Sequence, residues 1–122
     1  MANKENLSLV WDFIKAHRSM LRMDRWLDSE NIDVKAVREG RYNECGTTAC
    51  VAGWTGLLFG WLPVDSCVFV SPDGKQVRDI EYVAMGILEL TSIEKDRLFF
   101  CDNNDLDEIM DELLGDYAST AA

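Results

Sequence analysis

The chain has 122 residues, of which 48% are hydrophobic and 28% charged, and its net charge is −10. The length fits one domain, 1–122, and the apolar fraction is too high for a disordered chain. The negative charge argues against nucleic acid or an anionic membrane as a partner, since both would repel it.

The N-terminal residues lack the apolar segment and cleavage site of a secretory signal peptide. The longest apolar stretch, 49–62, is interrupted by three glycines. It is also shorter than the roughly 20 residues that a transmembrane helix needs. We therefore expect a cytoplasmic protein with reduced thiols. The cysteines are Cys45, Cys50, Cys67 and Cys101.

Apolar residues recur at helical spacing from about Glu5 to Met20, which predicts an amphipathic first helix. The stripe consists of Leu7, Val10, Trp11, Ile14, His17 and Leu21. A second apolar cluster, 23–37, predicts short and broken helical turns. Residues 40–46 predict a loop.

The segment from Thr48 to Phe59 is apolar on nearly every side, which predicts a buried helix at the centre of the fold. The hydroxyl of Thr47 or Thr48 can cap its first turn. Small residues form a stripe along this helix: Ala49, Ala52, Gly53 and Gly56. Because a glycine inside a helix costs about 1 kcal/mol relative to alanine, we expect another helix to pack closely on this stripe.

After Pro63 the apolar period changes to two, which predicts a β-hairpin over about 67–78. Its strands flank the sequence Ser71-Pro72-Asp73-Gly74, which is typical of a turn. This hairpin completes the predicted fold class, a mainly α (α+β) domain built around the buried central helix.

Three helices are predicted after the hairpin. The first runs from Asp79 to about Leu90, and the second opens with the capping-box pattern Thr91-Ser92-Ile93-Glu94. We expect the second helix to bury Leu98, Phe99 and Phe100. The third runs from about Asp105 to Tyr117. Its inward face consists of Leu106, Ile109, Met110, Leu113 and Tyr117.

The net charge is concentrated in the last third of the chain. Residues 1–78 contain as many bases as acids, whereas 79–122 contain two bases and twelve acids. One interpretation is a solvated face that favours solubility. The other is a docking surface for a basic protein. The candidate binding residues are Asp105, Asp107, Glu108, Asp111, Glu112 and Asp116.

Cys45 is a weak candidate catalytic residue. It precedes the predicted central helix, whose N-terminal N–H groups and dipole can stabilise a thiolate. The alternative is structural, with Gly46 forming a turn, Thr47 capping the helix and Cys45 packing. His17, the single histidine, can form a dyad with Cys45, but its position in the apolar stripe predicts a buried core residue.

The spacing of possible ligands predicts no metal and no cofactor. Cys45 and Cys50 are separated by four residues across a helix start, unlike the paired cysteines of zinc knuckles; a disulfide between them remains an alternative. The acidic run from Asp102 begins like a calcium loop. However, positions 5, 6 and 12 of that loop hold Leu106, Asp107 and Leu113, where an EF-hand needs an oxygen ligand, glycine and glutamate.

Three segments carry a resemblance to a known group of proteins: Met23-x-x-Trp26, Cys45-Gly46-Thr47-x-x-Cys50-x-x-Gly53 and Leu98-Phe99. Over roughly 23–99 the chain resembles small bacteriophage and bacterial proteins of unknown function. The resemblance implies a phage or mobile-element setting, and therefore host cytoplasm, but no activity.

These observations together predict a non-enzymatic interaction factor. We expect a phage accessory protein that binds a basic host protein through its acidic C-terminal helical surface. One alternative is a thiol-dependent enzyme or redox switch that uses Cys45. The other is a structural protein that self-assembles through the edge of the hairpin.

Overall fold

Helices dominate the computed structural model, which describes residues 2–21, 23, 27–28, 48–64, 67–102 and 104–115. The α-helices in these ranges are α1 (Lys4–Ala16), α2 (Val51–Leu58), α3 (Ile80–Leu88), α4 (Ser92–Phe99) and α5 (Leu106–Leu114). The strands are β1 (Leu27–Asp28), β2 (Thr48–Ala49), β3 (Leu62–Pro63), β4 (Val68–Val70) and β5 (Val77–Asp79). The predicted mainly α fold with a small β element is confirmed.

Helix α2 lies at the centre of the core, as its composition predicts. Every residue from Val51 to Leu57 is buried, and α2 packs most extensively against α3. The indole Nε1 of Trp54 donates to the carbonyl oxygen of Met20 at 2.9 Å. This bond satisfies the one polar group of the Trp54 side chain, which is almost completely buried.

The start of α2 differs from the sequence prediction. The helix begins at Val51 with Cys50 as its N-cap, so the expectation of a helix from Thr48 is wrong. Thr48 instead pairs with Asp28 in the antiparallel β1–β2 ladder, while Thr47 lies outside the described residues. A strand pairing between distant segments outweighs the local capping preference of threonine here.

The small-residue stripe of α2 accommodates an aromatic ring at Gly56. A Cβ atom at this position would overlap the ring of Phe69, a residue of β4 that is fully buried. The close neighbour of Gly56 is therefore a side chain of the sheet, and the expectation of a neighbouring helix is wrong at this position.

The predicted hairpin is present as β4 and β5, which pair antiparallel with Phe69 opposite Arg78. In its turn the N–H of Gly74 donates to the carbonyl oxygen of Ser71 at 2.9 Å. A third strand, β3, was not predicted; it pairs with β4 and places Pro63 opposite Phe69. Proline is tolerated in β3 because this strand lies at the edge of the sheet.

The first helix is shorter than predicted. It ends at Ala16, and a 3₁₀ turn follows over Arg18–Met20. Asn3 caps its N-terminus by accepting from the N–H of Asn6 at 3.0 Å. The N–H of Asn3 also donates to the carbonyl oxygen of Leu88 at 2.7 Å. The N-cap residue of α1 thus supplies a hydrogen-bond donor to the last carbonyl group of α3.

The last two helices are present where they are predicted, although α5 ends at Leu114 with Gly115 as its C-cap, before the predicted end near Tyr117. The capping box of α4 is formed: the N–H of Thr91 donates to Glu94 Oε1 at 3.0 Å, and the N–H of Glu94 donates to Thr91 Oγ1 at 3.2 Å. Leu98 and Phe99 are buried. Phe100 is 62% exposed, so its predicted burial is wrong; it follows the last helical residue and leaves the buried face of α4.

Within the described ranges, no helix has the length and hydropathy needed to cross a bilayer.

Candidate functional site

Helix α5 carries a surface that we name the acidic face: Asp105, Asp107, Glu108, Asp111 and Glu112. Leu106, Ile109 and Met110 are buried in the core, which turns the carboxylates between them outward. All five carboxylates are exposed. The outward orientation that the inward stripe of α5 predicts is therefore confirmed for Asp107, Glu108, Asp111 and Glu112, and the binding role of these residues stays a prediction. Asp116 and Tyr117 lie outside the described residues.

Arg18 neutralises one end of the acidic face. Its guanidinium Nη2 lies 2.8 Å from Asp107 Oδ1, and the same guanidinium stacks 5.0 Å above the ring of Trp11. The pair joins the end of α1 to the first turn of α5. Because both side chains are about half exposed, the pair contributes roughly 0–1 kcal/mol.

Arg97 of α4 neutralises another part of the face through an ion pair with Glu112. The hydrogen bond from Arg97 lowers the pKa of Glu112, and the same bond raises the pKa of Arg97. Glu108 adds a weaker attraction to this guanidinium. The face is thus partly compensated by its own chain.

Asp105, Glu108 and Asp111 remain outside these ion pairs. In the part of the chain that the structure describes, no base lies within ion-pair distance of their carboxylates. The face therefore combines five exposed carboxylates with two guanidinium groups. Its excess negative potential can attract a basic surface.

The spacing of the acids adds repulsion within α5. Asp107 and Asp111 are four positions apart, as are Glu108 and Glu112, so each pair lies on neighbouring turns. Like charges at this spacing destabilise a helix by about 0.2–0.5 kcal/mol per pair. The two later acids also lie toward the C-terminal end, where the helix dipole disfavours negative charge.

The cysteine at the N-terminus of α2 is Cys50, whereas the reactive thiol proposed from the sequence is Cys45. Cys50 is the N-cap and is almost completely buried. Burial raises the pKa of Cys50 from 9.0 to about 11, although the N–H groups of Gly53 and Ala52 act in the opposite direction. Desolvation therefore outweighs the helix N-terminus, and this thiol is not activated.

Cys45 itself lies outside the described residues, five positions before the N-cap. It is farther from the helix than predicted, because α2 begins at Val51 instead of Thr48, and β2 and Cys50 therefore also lie between them. Its reactivity and its pairing with Cys50 stay predictions. At the far end of α4, burial raises the pKa of Cys101, and its Sγ donates to the carbonyl oxygen of Leu98 at 3.3 Å.

His17 is not the buried core residue that the sequence predicts. It is the C-cap of α1 and is half-buried. Its Nδ1 lies 2.9 Å from the carbonyl oxygen of Phe13, and its ring stacks on that of Phe13 with 4.3 Å between centroids. The early end of α1 explains the difference, because the helical stripe no longer continues through this residue.

The hairpin edge proposed for self-assembly is short. Strand β5 forms one edge of the sheet, and its three residues, Val77, Arg78 and Asp79, are exposed. Short edges that carry charged side chains are typical of strands protected against pairing with another chain.

Sequence reasoning missed the two arginines that contact the acidic face and the exposure of the outer surface of α4. Arg18 and Asp107 are 89 residues apart, so no local pattern connects them. For α4, a local signal existed: the capping box fixes the first residue of the helix. It therefore fixes which later residues share a face with Ile93.

Comparison of the chain with protein-family models, curated proteins and solved structures finds no match. In the described ranges, no three histidine, cysteine, aspartate or glutamate side chains are grouped so that they could hold a metal ion.

Proposed function

We propose that this chain is a non-enzymatic interaction factor whose acidic face binds a basic surface of another protein. The observation that carries the proposal is the set of three exposed carboxylates, Asp105, Glu108 and Asp111, that lie outside the ion pairs of the described bases. The resemblance of the Cys-Gly-Thr block to phage and bacterial proteins supports a phage accessory protein acting on a host protein.

Electrostatics define how such a complex would form. Carboxylates on an exposed helix attract a basic partner over roughly one Debye length, about 8 Å at physiological salt. The expected effects are a faster association rate and a strong dependence on salt. The Arg18–Asp107 and Arg97–Glu112 pairs hold two of the carboxylates in place. They leave Glu108 and Asp111 at the centre of the surface.

The test is capture of partners from a bacterial lysate on the immobilised protein at low and high salt. The double variant Glu108→Lys/Asp111→Lys removes the centre of the face. Its matched control, Glu5→Lys/Glu89→Lys, makes the same change in net charge at exposed acids outside the face. We expect a protein with a basic surface to be retained by the wild type and the control and lost by the face variant.

Binding that ignores both salt and the face variant would contradict the proposal. Equal loss in the face variant and the control would also contradict it, because net charge alone would then explain capture. Far-UV circular dichroism of all three proteins establishes that each is folded before capture is compared.

A further inference from the structure

Two large apolar side chains are exposed at α4, Ile93 in its first turn at 81% and the C-cap residue Phe100 at 62%. Arg97 lies between them in sequence. Residues at positions i, i+4 and i+7 follow one stripe along a helix. We name Ile93, Arg97 and Phe100 the α4 stripe. By the helical rise of about 1.5 Å per residue, its two apolar ends lie about 10 Å apart.

The α4 stripe borders the acidic face of α5. Arg97, at the middle of the stripe, forms its ion pair with Glu112 and is attracted by Glu108. The two surfaces are therefore continuous across the α4–α5 contact.

We propose that the α4 stripe and the acidic face form one docking surface for a basic amphipathic helix of another protein. The inference rests on the proposed function and specifies its partner. Apolar side chains two turns apart on that helix would cover Ile93 and Phe100, and its lysines or arginines would lie against Glu108 and Asp111. Helices that dock in this way are recognised through anchors at helical spacing.

Charge complementarity selects this occupant over a second copy of the chain. Each copy carries a net charge of −10, and contact through this surface would bring Glu108 and Asp111 of one copy close to the acids of another. Like charges placed opposite each other oppose such an interface. A basic partner removes that repulsion while it covers the apolar side chains.

The experiment uses two synthetic peptides of the same leucine and lysine composition, labelled for fluorescence anisotropy. One places leucine at helical spacing, and the other alternates leucine with lysine. For the wild type at low salt, we expect the helical peptide to bind about tenfold more tightly than the alternating one. Ile93→Ser/Phe100→Ser should reduce this ratio to about one. Leu9→Ser, which changes an exposed apolar residue of α1, should leave the ratio unchanged.

Equal affinities of the two peptides for the wild type would overturn this inference. So would a ratio that survives in Ile93→Ser/Phe100→Ser. If peptide binding is nevertheless weakened by salt and by Glu108→Lys/Asp111→Lys, the acidic face still binds a basic partner. In that case the proposed function stands, and only the role of the α4 stripe is wrong. If neither peptide binds the wild type, both fail. Sedimentation of a wild-type dimer that Ile93→Ser/Phe100→Ser dissociates would identify a second copy as the occupant and also overturn the inference.

Discussion

Helices α2 and α5 differ in what fixes their sequences. In α2, all residues from Val51 to Leu57 are buried, so each side chain is constrained by packing. In α5, three residues reach the core and the outer surface consists of carboxylates. Substitutions in α2 should therefore lower the free energy of unfolding, and substitutions on the acidic face should weaken the binding of a partner.

The hydrogen bonds and ion pairs of the two helices show the same contrast. The hydroxyl of Thr55 in α2 donates to the carbonyl oxygen of Val51 at 2.7 Å, so a buried polar group is satisfied within the helix. The polar groups of α5 are instead exposed, and the Arg18 and Arg97 pairs compensate only part of them. The predictions that follow test this division, from the core outward.

The largest expected effect is that of Gly56→Ala. Although alanine favours a helix by about 1 kcal/mol, its Cβ atom would overlap the Phe69 ring. Such overpacking should lower the free energy of unfolding by about 2–3 kcal/mol. Urea unfolding measures the change.

The matched control is Gly86→Ala in α3, where an added Cβ meets nothing within 4 Å. This variant should raise the free energy of unfolding by about 0.5–1 kcal/mol. Destabilisation of similar size in both variants would mean that contact with Phe69 is not the reason for glycine in α2.

The buried thiol of α2 should make stability fall in alkali. The pKa of Cys50 is about 11 in the folded chain, against 9.0 ordinarily, so between these values the unfolded chain has lost a proton that the folded chain retains. Stability attributable to Cys50 is complete below pH 9.0 and falls by about 1.4 kcal/mol per pH unit above it. From about pH 8 to about pH 10.5, wild type should lose roughly 2 kcal/mol more than Cys50→Ala.

Other groups titrate over the same pH range, so the comparison needs a control variant that alters the core but leaves every ionisable group in place. Val51→Ala alters the adjacent buried residue and should differ from the wild type by the same free energy at every pH. Parallel pH profiles for wild type and Cys50→Ala would show that the thiol is not kept neutral by burial.

A smaller effect is expected at the boundary between the core and the acidic end. Thr91→Ala removes the side-chain half of the α4 capping box and should lower the free energy of unfolding by about 1 kcal/mol. Thr91→Ser keeps the hydroxyl and should stay close to the wild type in thermal unfolding. Equal destabilisation by serine and alanine would assign the loss to the missing methyl group instead.

The elements predicted correctly from the sequence are those with local signals. The capping box at Thr91, the turn Ser71–Gly74 and the inward stripe of α5 depend on residues within a few positions of each other. The exposure of Asp107, Glu108, Asp111 and Glu112 follows from that stripe.

The features that were missed depend on contacts between distant segments. Strand β3 exists because it pairs with β4, and the two-residue strand has no recognisable pattern of its own. Helix α2 begins at Val51 and not at Thr48, because Thr48 pairs with Asp28 in the β1–β2 ladder. The partial compensation of the acidic face required Arg18, which approaches Asp107 only after the chain has folded.

The most direct test of whether the acidic face serves binding rather than folding uses the variant Asp111→Lys. Its free energy of unfolding and its capture of a partner are measured on one preparation. The substitution replaces a like-charge pair with the favourable Asp107–Lys spacing, so the free energy of unfolding at low salt should rise by about 0.5 kcal/mol. High salt should reduce this gain, and capture of the basic partner should weaken. A loss of stability above about 1 kcal/mol, or capture equal to that of the wild type, would contradict the account.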